Sequence, residues 1–387
     1  MRELSEASWV RHHAGIVGLG LCLALGPGCD MGSSHGWVIE PASGALSGSP
    51  QLQDCVYIEG DVRVGDLSER TDLACVNGDL TLGPDTGAGT LQDLRGLAGL
   101  RAVRALRIQN LPALVSLRGL GALEQAERIE IIGCDSLASL DGLDALREVR
   151  GRLHLARNPT LTTLTGAPQL QTLGELVVEG NASLENLQGM SRELTQLVSL
   201  RVEHNASLLT LDGLESLTRL QHLFVSDNPR LERLARFESL RTLESFEVAD
   251  HPRLFDLGAL PVFEGNAQLE LTLRNNTHLS SIRGLEHIAQ AYNVDVSGNS
   301  ALADLTDWNI RRVHNFMLLS NNAALTTLDG LEALRDVAYL RVQANPRLLE
   351  LDGLSELQRA EAIELRNNPA LRTATGLSFQ VERLTTP

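Results

Sequence analysis

The chain has 387 residues, of which 43% are apolar and only 3% aromatic, and it carries a formal net charge of −16. So acidic a chain, with no basic stripe, argues against nucleic acid and anionic membrane surfaces as partners. It contains no lysine, all 33 basic residues being arginine, which removes phosphate-loop, Schiff-base and pyridoxal-phosphate chemistry together.

Residues 1–28 read as a signal peptide. Arg2 and Arg11 flank a polar start, and an apolar run follows over residues 14–25. That run is shorter than a membrane-spanning helix but suits a secretory h-region. It closes on Leu25-Gly26-Pro27-Gly28-Cys29. The phrase resembles a bacterial lipobox, with Gly26 where that motif prefers Leu. The resemblance implies lipid attachment at Cys29 and a place at the cell envelope, in the outer membrane or periplasm. Ordinary cleavage, leaving Cys29 as a thiol on a secreted protein, is the other reading. Residues 29–50, rich in Gly, Ser and Pro, form a flexible tether.

Residues 51–105 form an N-terminal cap. Two related phrases open it, Cys55-Val56-Tyr57-Ile58-Glu59-Gly60-Asp61 and Cys75-Val76-Asn77-Gly78-Asp79. Each is followed by an apolar pair two residues apart. In an exported cap the two cysteines fall in adjacent coils, so they are a candidate disulfide; two buried thiols are the alternative. The loop Gly83-Pro84-Asp85-Thr86-Gly87-Ala88-Gly89 lacks the Gly-Lys-Ser/Thr of a phosphate site and reads as an insertion.

From residue 106 to the end one pattern dominates, L-x-V-x-x-N-x-x-L-x-x-L-x-G-L, clearest from Leu200 to Leu214. Its first apolar residue falls at Leu106, Ile129, Leu153, Leu176, Leu200, Leu223, Phe246, Leu271, Val294, Met317, Leu340 and Ile363. The steps are 23 or 24 residues, with one of 25 after Phe246. So regular a period predicts a solenoid of the leucine-rich-repeat kind. The apolar pair two apart predicts a strand with one buried face. With strands ~4.8 Å apart, twelve coils give a parallel sheet on the order of 55 Å long.

The sixth position is Asn158, Asn181, Asn205, Asn228, Asn276, Asn299, Asn322, Asn345 or Asn368 in nine copies, and Leu111, Cys134 or His251 in the others. Here the chain leaves the strand, and an amide can satisfy stranded N–H and C=O groups, so the asparagines are expected to stack as a buried ladder. Leu208, Leu211, Leu214, Leu217 and Leu220 line the rest of the coil, with Asp212-Gly213 as a turn. One coil cannot bury these leucines alone, so neighbours must close over each other. The longer step near residues 261–267 is expected to bulge. Trp308 is expected to fill a coil that lacks the Gly-Leu phrase. Residues 379–381 suggest an edge strand, and residues 385–387 a frayed end.

The cap phrases, with Asn345-Pro346-Arg347-Leu348 and Leu351-Asp352-Gly353-Leu354, resemble the receptor L domain, the ligand-binding module of epidermal growth factor and insulin receptors. They are also similar to the repeats of bacterial internalins. The resemblance spans about residues 52–377 and implies a right-handed parallel β solenoid with a role in binding. The uninterrupted coils and the missing Cys-rich modules depart from those receptors.

Catalytic and metal signatures are missing from the sequence, and no cofactor is expected. Asp329 and Asp352 fall in adjacent coils, where turn chemistry explains them without calcium. Recognition is expected on the outward strand positions. Arg201, Phe224 and Glu247 form one column, with Glu203 and Ser226 beside them; Phe224 stands out as an exposed aromatic, readable as an anchor with polar neighbours or as a lone exposed apolar residue that needs no explanation. The sequence therefore predicts a non-enzymatic module binding a protein or glycan at the cell surface, touching membrane only through its lipid. A structural spacer and a parallel β-helix enzyme acting on polysaccharide are the alternatives.

Overall fold

The computed structural model describes residues 57–63, 74–260, 266–372 and 384–385. Period-2 burial makes each repeat a strand: in Leu200 to Val202 the first and last side chains are fully buried and Arg201 between them is not. The strands are β1 (Tyr57–Glu59), β2 (Val62–Arg63), β3 (Cys75–Leu82), β4 (Ala102–Gln109), β5 (Gln125–Ile132), β6 (Glu148–Ala156), β7 (Thr172–Glu179) and β8 (Gln196–Glu203). They continue as β9 (Arg219–Ser226), β10 (Ser245–Ala249), β11 (Glu270–Arg274), β12 (Gln290–Ser297), β13 (Arg312–Ser320), β14 (Asp336–Gln343), β15 (Arg359–Arg366) and β16 (Leu384–Thr385).

All join one 16-stranded sheet in chain order, with β2 pairing beside β1 on β3. Every pairing is parallel, and the repeat markers face one another, Leu200 against Leu223 and Leu223 against Phe246. The fold is a parallel β solenoid of about twelve coils with about 23 residues per turn. Among the described residues there is no α-helix, only five short 3-10 turns. No helix there is long and apolar enough to cross a membrane.

The cap continues the same sheet, since Leu80 of β3 pairs with Leu106 of β4. Its glycine-rich loop folds into two 3-10 turns, Pro84–Thr86 and Ala88–Thr90, hinged on Gly87 at φ 82°. The core is a stacked aliphatic column. Leu208, Leu211, Leu217 and Leu220 are 0% exposed, and Leu214 1%. Trp308 is buried in the coil without the Gly-Leu phrase.

The glycine of that phrase is required by contact. Gly213 sits at φ +126°, and a Cβ there would lie 2.3 Å from the carbonyl oxygen of Leu187 in the preceding coil. Of the bulge expected over residues 261–267, residues 261–265 lie outside the described residues and the rest enter a 3-10 turn, Asn266–Gln268; the expected edge strand on 379–381 also lies outside them. Of the end expected to fray, residues 386–387 also lie outside the described residues. Thr385 is not frayed but pairs with Glu364, because β15 offers it an open strand edge.

Candidate functional site

The sheet face is set by how each coil leaves its strand. The residue before the ladder position is left-handed in all twelve coils. Asn110, Arg157, His204, Asp227, Asp250, Asn275, Asn321, Ala344 and Asn367 have φ between 51° and 63°, and Gly133, Gly180 and Gly298 between 64° and 72°. Asn, Asp and Gly tolerate this region best. The sequence carried this second signal, in the residue types before the ladder position.

The next residue turns inward. The Asn205 carbonyl accepts the Asn181 N–H at 3.0 Å, and its amide donates to the Val178 carbonyl at 3.0 Å. The same contact runs Cys134 to Asn158 to Asn181 to Asn205 to Asn228. It resumes from Asn276 through Asn299, Asn322 and Asn345 to Asn368. His251 bridges the gap. Its Nδ1 accepts the Asn228 N–H at 3.2 Å, its Nε2 lies 3.2 Å from the Val225 carbonyl, and its own N–H donates to Asn276 Oδ1 at 3.2 Å. Burial lowers its pKa to about 4, against opposing hydrogen bonds to Val225 and Asn228. The fold is a leucine-rich-repeat solenoid.

That ladder holds the outward columns side by side. Arg201, Phe224 and Glu247 lie on neighbouring strands, as do Glu203 and Ser226. The exposure expected of Phe224 needs correction. The side chain is half-buried, because the Arg201 guanidinium lies 4.7 Å from its ring centre and His222 stacks on it at 6.1 Å. Arg201 is itself held by Glu203 at 2.8 Å. Burial raises the Glu247 pKa, against the pull of Arg274 and Arg201. Among the described residues the large exposed apolar side chains are Val115, Val198, Phe255 and Leu349.

A third outward column was missed by the sequence reading. It precedes each marker: His222, Ser245, Glu270, Asn293, Phe316 and Tyr339 on β9 to β14. The alternation that places marker+1 outward also places marker−1 outward, so the signal was present. A shallow hollow opens on it, lined by His222, Thr242, Leu243, Glu244, Ser245, Gln268 and Glu270. Burial lowers the pKa of His222, opposed by Glu244. Burial also raises Glu270, opposed by its hydrogen bond with Asn293.

Charge on this face is largely paired within it. Arg107 bridges Asp79 and Glu130, Arg152 meets Glu175 at 2.6 Å, Arg274 meets Asp295 at 3.0 Å, and Arg341 and Arg366 share Glu364. Among the described residues no group of three or more His, Cys, Asp or Glu side chains could hold a metal ion. Cys134 is a buried free thiol whose pKa burial pushes up to about 11. Cys75 is buried and disulfide-bonded, while Cys55 and Cys29 lie outside the described residues. Asn181 and Asn205, each opening an Asn-Ala-Ser that matches a glycosylation sequon, are buried ladder residues.

No protein-family model and no curated protein matches the chain. Among solved structures it is similar to the receptor in a TLR13–ssRNA13 complex, with 18% identity, a TM-score of 0.38, and coverage of 76% of this chain and 50% of that one. It spans half the length of that receptor chain. It is also similar to a leucine-rich-repeat protein of Leptospira interrogans, with 14% identity, a TM-score of 0.23, and coverage of 80% of this chain and 94% of that one.

Proposed function

We propose that the protein is a non-enzymatic recognition module that takes a protein or glycan partner on the outward face of its sheet. We also propose that it is exported and held at a bacterial cell envelope by lipid on Cys29. The observation that supports recognition is the in-phase stacking of three outward columns over successive coils. Stacking gathers residues far apart in sequence, such as Arg201, Phe224 and Glu247, into one continuous surface. Contact area of this kind concentrates binding energy in a few anchored aromatic and arginine side chains. The Arg201–Phe224–His222 stack is such an anchor, already ordered before a partner arrives.

A spacer without a specific ligand is the second reading, and the self-paired charges of the face favour it. The two readings separate in a pull-down from envelope extract. Recognition predicts a partner held by wild type and by Phe255→Ala, and released by Arg201→Glu combined with Phe224→Ala. Equal retention by all three proteins would remove this face as the site. Mass spectrometry of the mature N-terminus tests the anchor: a diacylglyceryl mass on Cys29 supports it, and an unmodified N-terminus contradicts it.

A further inference from the structure

The chain has few aromatic residues, 7 Phe, 3 Tyr and 3 Trp. Two of them, Phe316 and Tyr339, are paired across β13 and β14 in the column before the markers. Both are half-buried, so both keep part of their rings in solvent. The rings are held in place. The Arg341 guanidinium lies 5.8 Å from the Phe316 ring centre, and the Tyr339 hydroxyl bonds Glu361. Upstream in the same column, Asn293 Oδ1 accepts from Asn315 Nδ2 at 2.9 Å and from the Phe316 N–H at 3.1 Å. Asn293 also bonds Glu270, which lines the hollow with His222 and Ser245. Pocket, amide and ring pair therefore follow one another along a single line across six consecutive strands, β9 to β14.

We propose that this line, from His222 and Ser245 through Glu270 and Asn293 to Phe316 and Tyr339, is a binding trough for a neutral polysaccharide lying across the strands. The inference rests on the recognition reading and names the ligand class of that face. Three features point to a neutral, hydroxyl-rich chain. First, the column holds no arginine over β9 to β14, and the arginines beside it, Arg274 and Arg341, are tied to Asp295 and Glu364. A charged partner would have to break those pairs. Second, hydroxyl, imidazole and carboxyl groups both donate and accept or accept in pairs, as vicinal sugar hydroxyls require. Burial favours the uncharged forms of His222 and Glu270, which suits a ligand without charge. Third, two aromatic residues stand side by side in the column, and an aromatic ring offers an apolar surface to the C–H side of a sugar ring. One side chain per strand, every ~4.8 Å, also comes close to the advance of one sugar along an extended chain.

The test is affinity electrophoresis of the full chain in gels holding hydroxyethylcellulose or a galactomannan, with polygalacturonate as the charged comparison. A neutral polysaccharide should retard wild type, with the same affinity from about 0.05 to 0.5 M salt. Phe316→Ala with Tyr339→Ala should bind about tenfold or more weakly, while Phe255→Ala should bind as wild type does. Phe316→Leu with Tyr339→Leu keeps the bulk and removes the rings, and should lose binding equally if the alanine pair fails to fold. Retardation by polygalacturonate alone, no retardation of wild type, or equal binding by the ring-less variant overturns the proposal. If the glycan arm fails while Arg201→Glu with Phe224→Ala still releases a partner, the ligand class is wrong and the recognition reading stands. If both fail, both are wrong.

Discussion

His251 shows how tightly one position is specified. It occupies an asparagine site and takes over the asparagine's contacts, with Nδ1 at 3.2 Å from the Asn228 N–H and Nε2 at 3.2 Å from the Val225 carbonyl. The Val225 and Asn228 carbonyls, the latter 3.3 Å from Nδ1, favour a protonated ring, but burial disfavours its charge more strongly. Burial accordingly lowers its pKa from 6.5 to about 4. The unfolded chain then binds a proton that the folded chain lacks over that interval, so stability falls with pH. The contribution is complete above about 6.5 and is lost progressively down to about 4, about 3 kcal/mol in all. Urea unfolding of wild type against His251→Asn across this window should show the wild type losing that much relative to the variant. Parallel pH profiles for the two proteins would show that His251 does not carry the effect. The histidine was legible in the sequence only as a substitution in the asparagine series; its role as an amide mimic needed the two ring distances.

At the scale of the coil, contact and backbone angle explain what spacing alone did not. The sequence showed the Asp-Gly pairs as turns, and the structure adds why the glycine is needed. At Gly213 a left-handed backbone coincides with the Leu187 carbonyl of the coil below. Gly213→Ala should therefore cost on the order of 2–4 kcal/mol. Gly89 has no positive φ, and a Cβ there would meet nothing within 4 Å, so it should accept Ala within about 0.5 kcal/mol. Thermal unfolding of the two variants checks the pair, and equal losses would contradict this account of the turn. The marker leucines and ladder asparagines were readable because they recur at fixed offsets. The column of His222, Glu270, Asn293, Phe316 and Tyr339 was harder to see because it varies from coil to coil, as surface positions do. Phe224 is less exposed than expected because a strand pattern gives the side of the sheet and not the neighbour lying over it, here Arg201.

Across the whole molecule, one register links the ladder to the outward face. Each coil contributes little alone, and its leucines are buried only because the next coil closes over them. Since the steps are 23 or 24 residues with one exception, side chains that recur at one offset must stack into a column, whatever their chemistry. A net charge of −16 thus coexists with a face whose arginines and carboxylates largely pair with one another. Much of the charge on the face is consequently spent in ion pairs within it.

The most direct test of that shared register is a cross-link between neighbouring coils. Glu203 and Ser226 are partners on β8 and β9, at a separation between adjacent parallel strands of ~4.8 Å that a disulfide can span. Oxidation of Glu203→Cys with Ser226→Cys, mapped by peptide mass spectrometry, should give an intramolecular bond in the folded chain. Glu203→Cys with Val225→Cys, one residue out of register and on the buried face, should not. A bond in the second pair as readily as in the first, or in neither, would contradict the stacking on which the binding face depends.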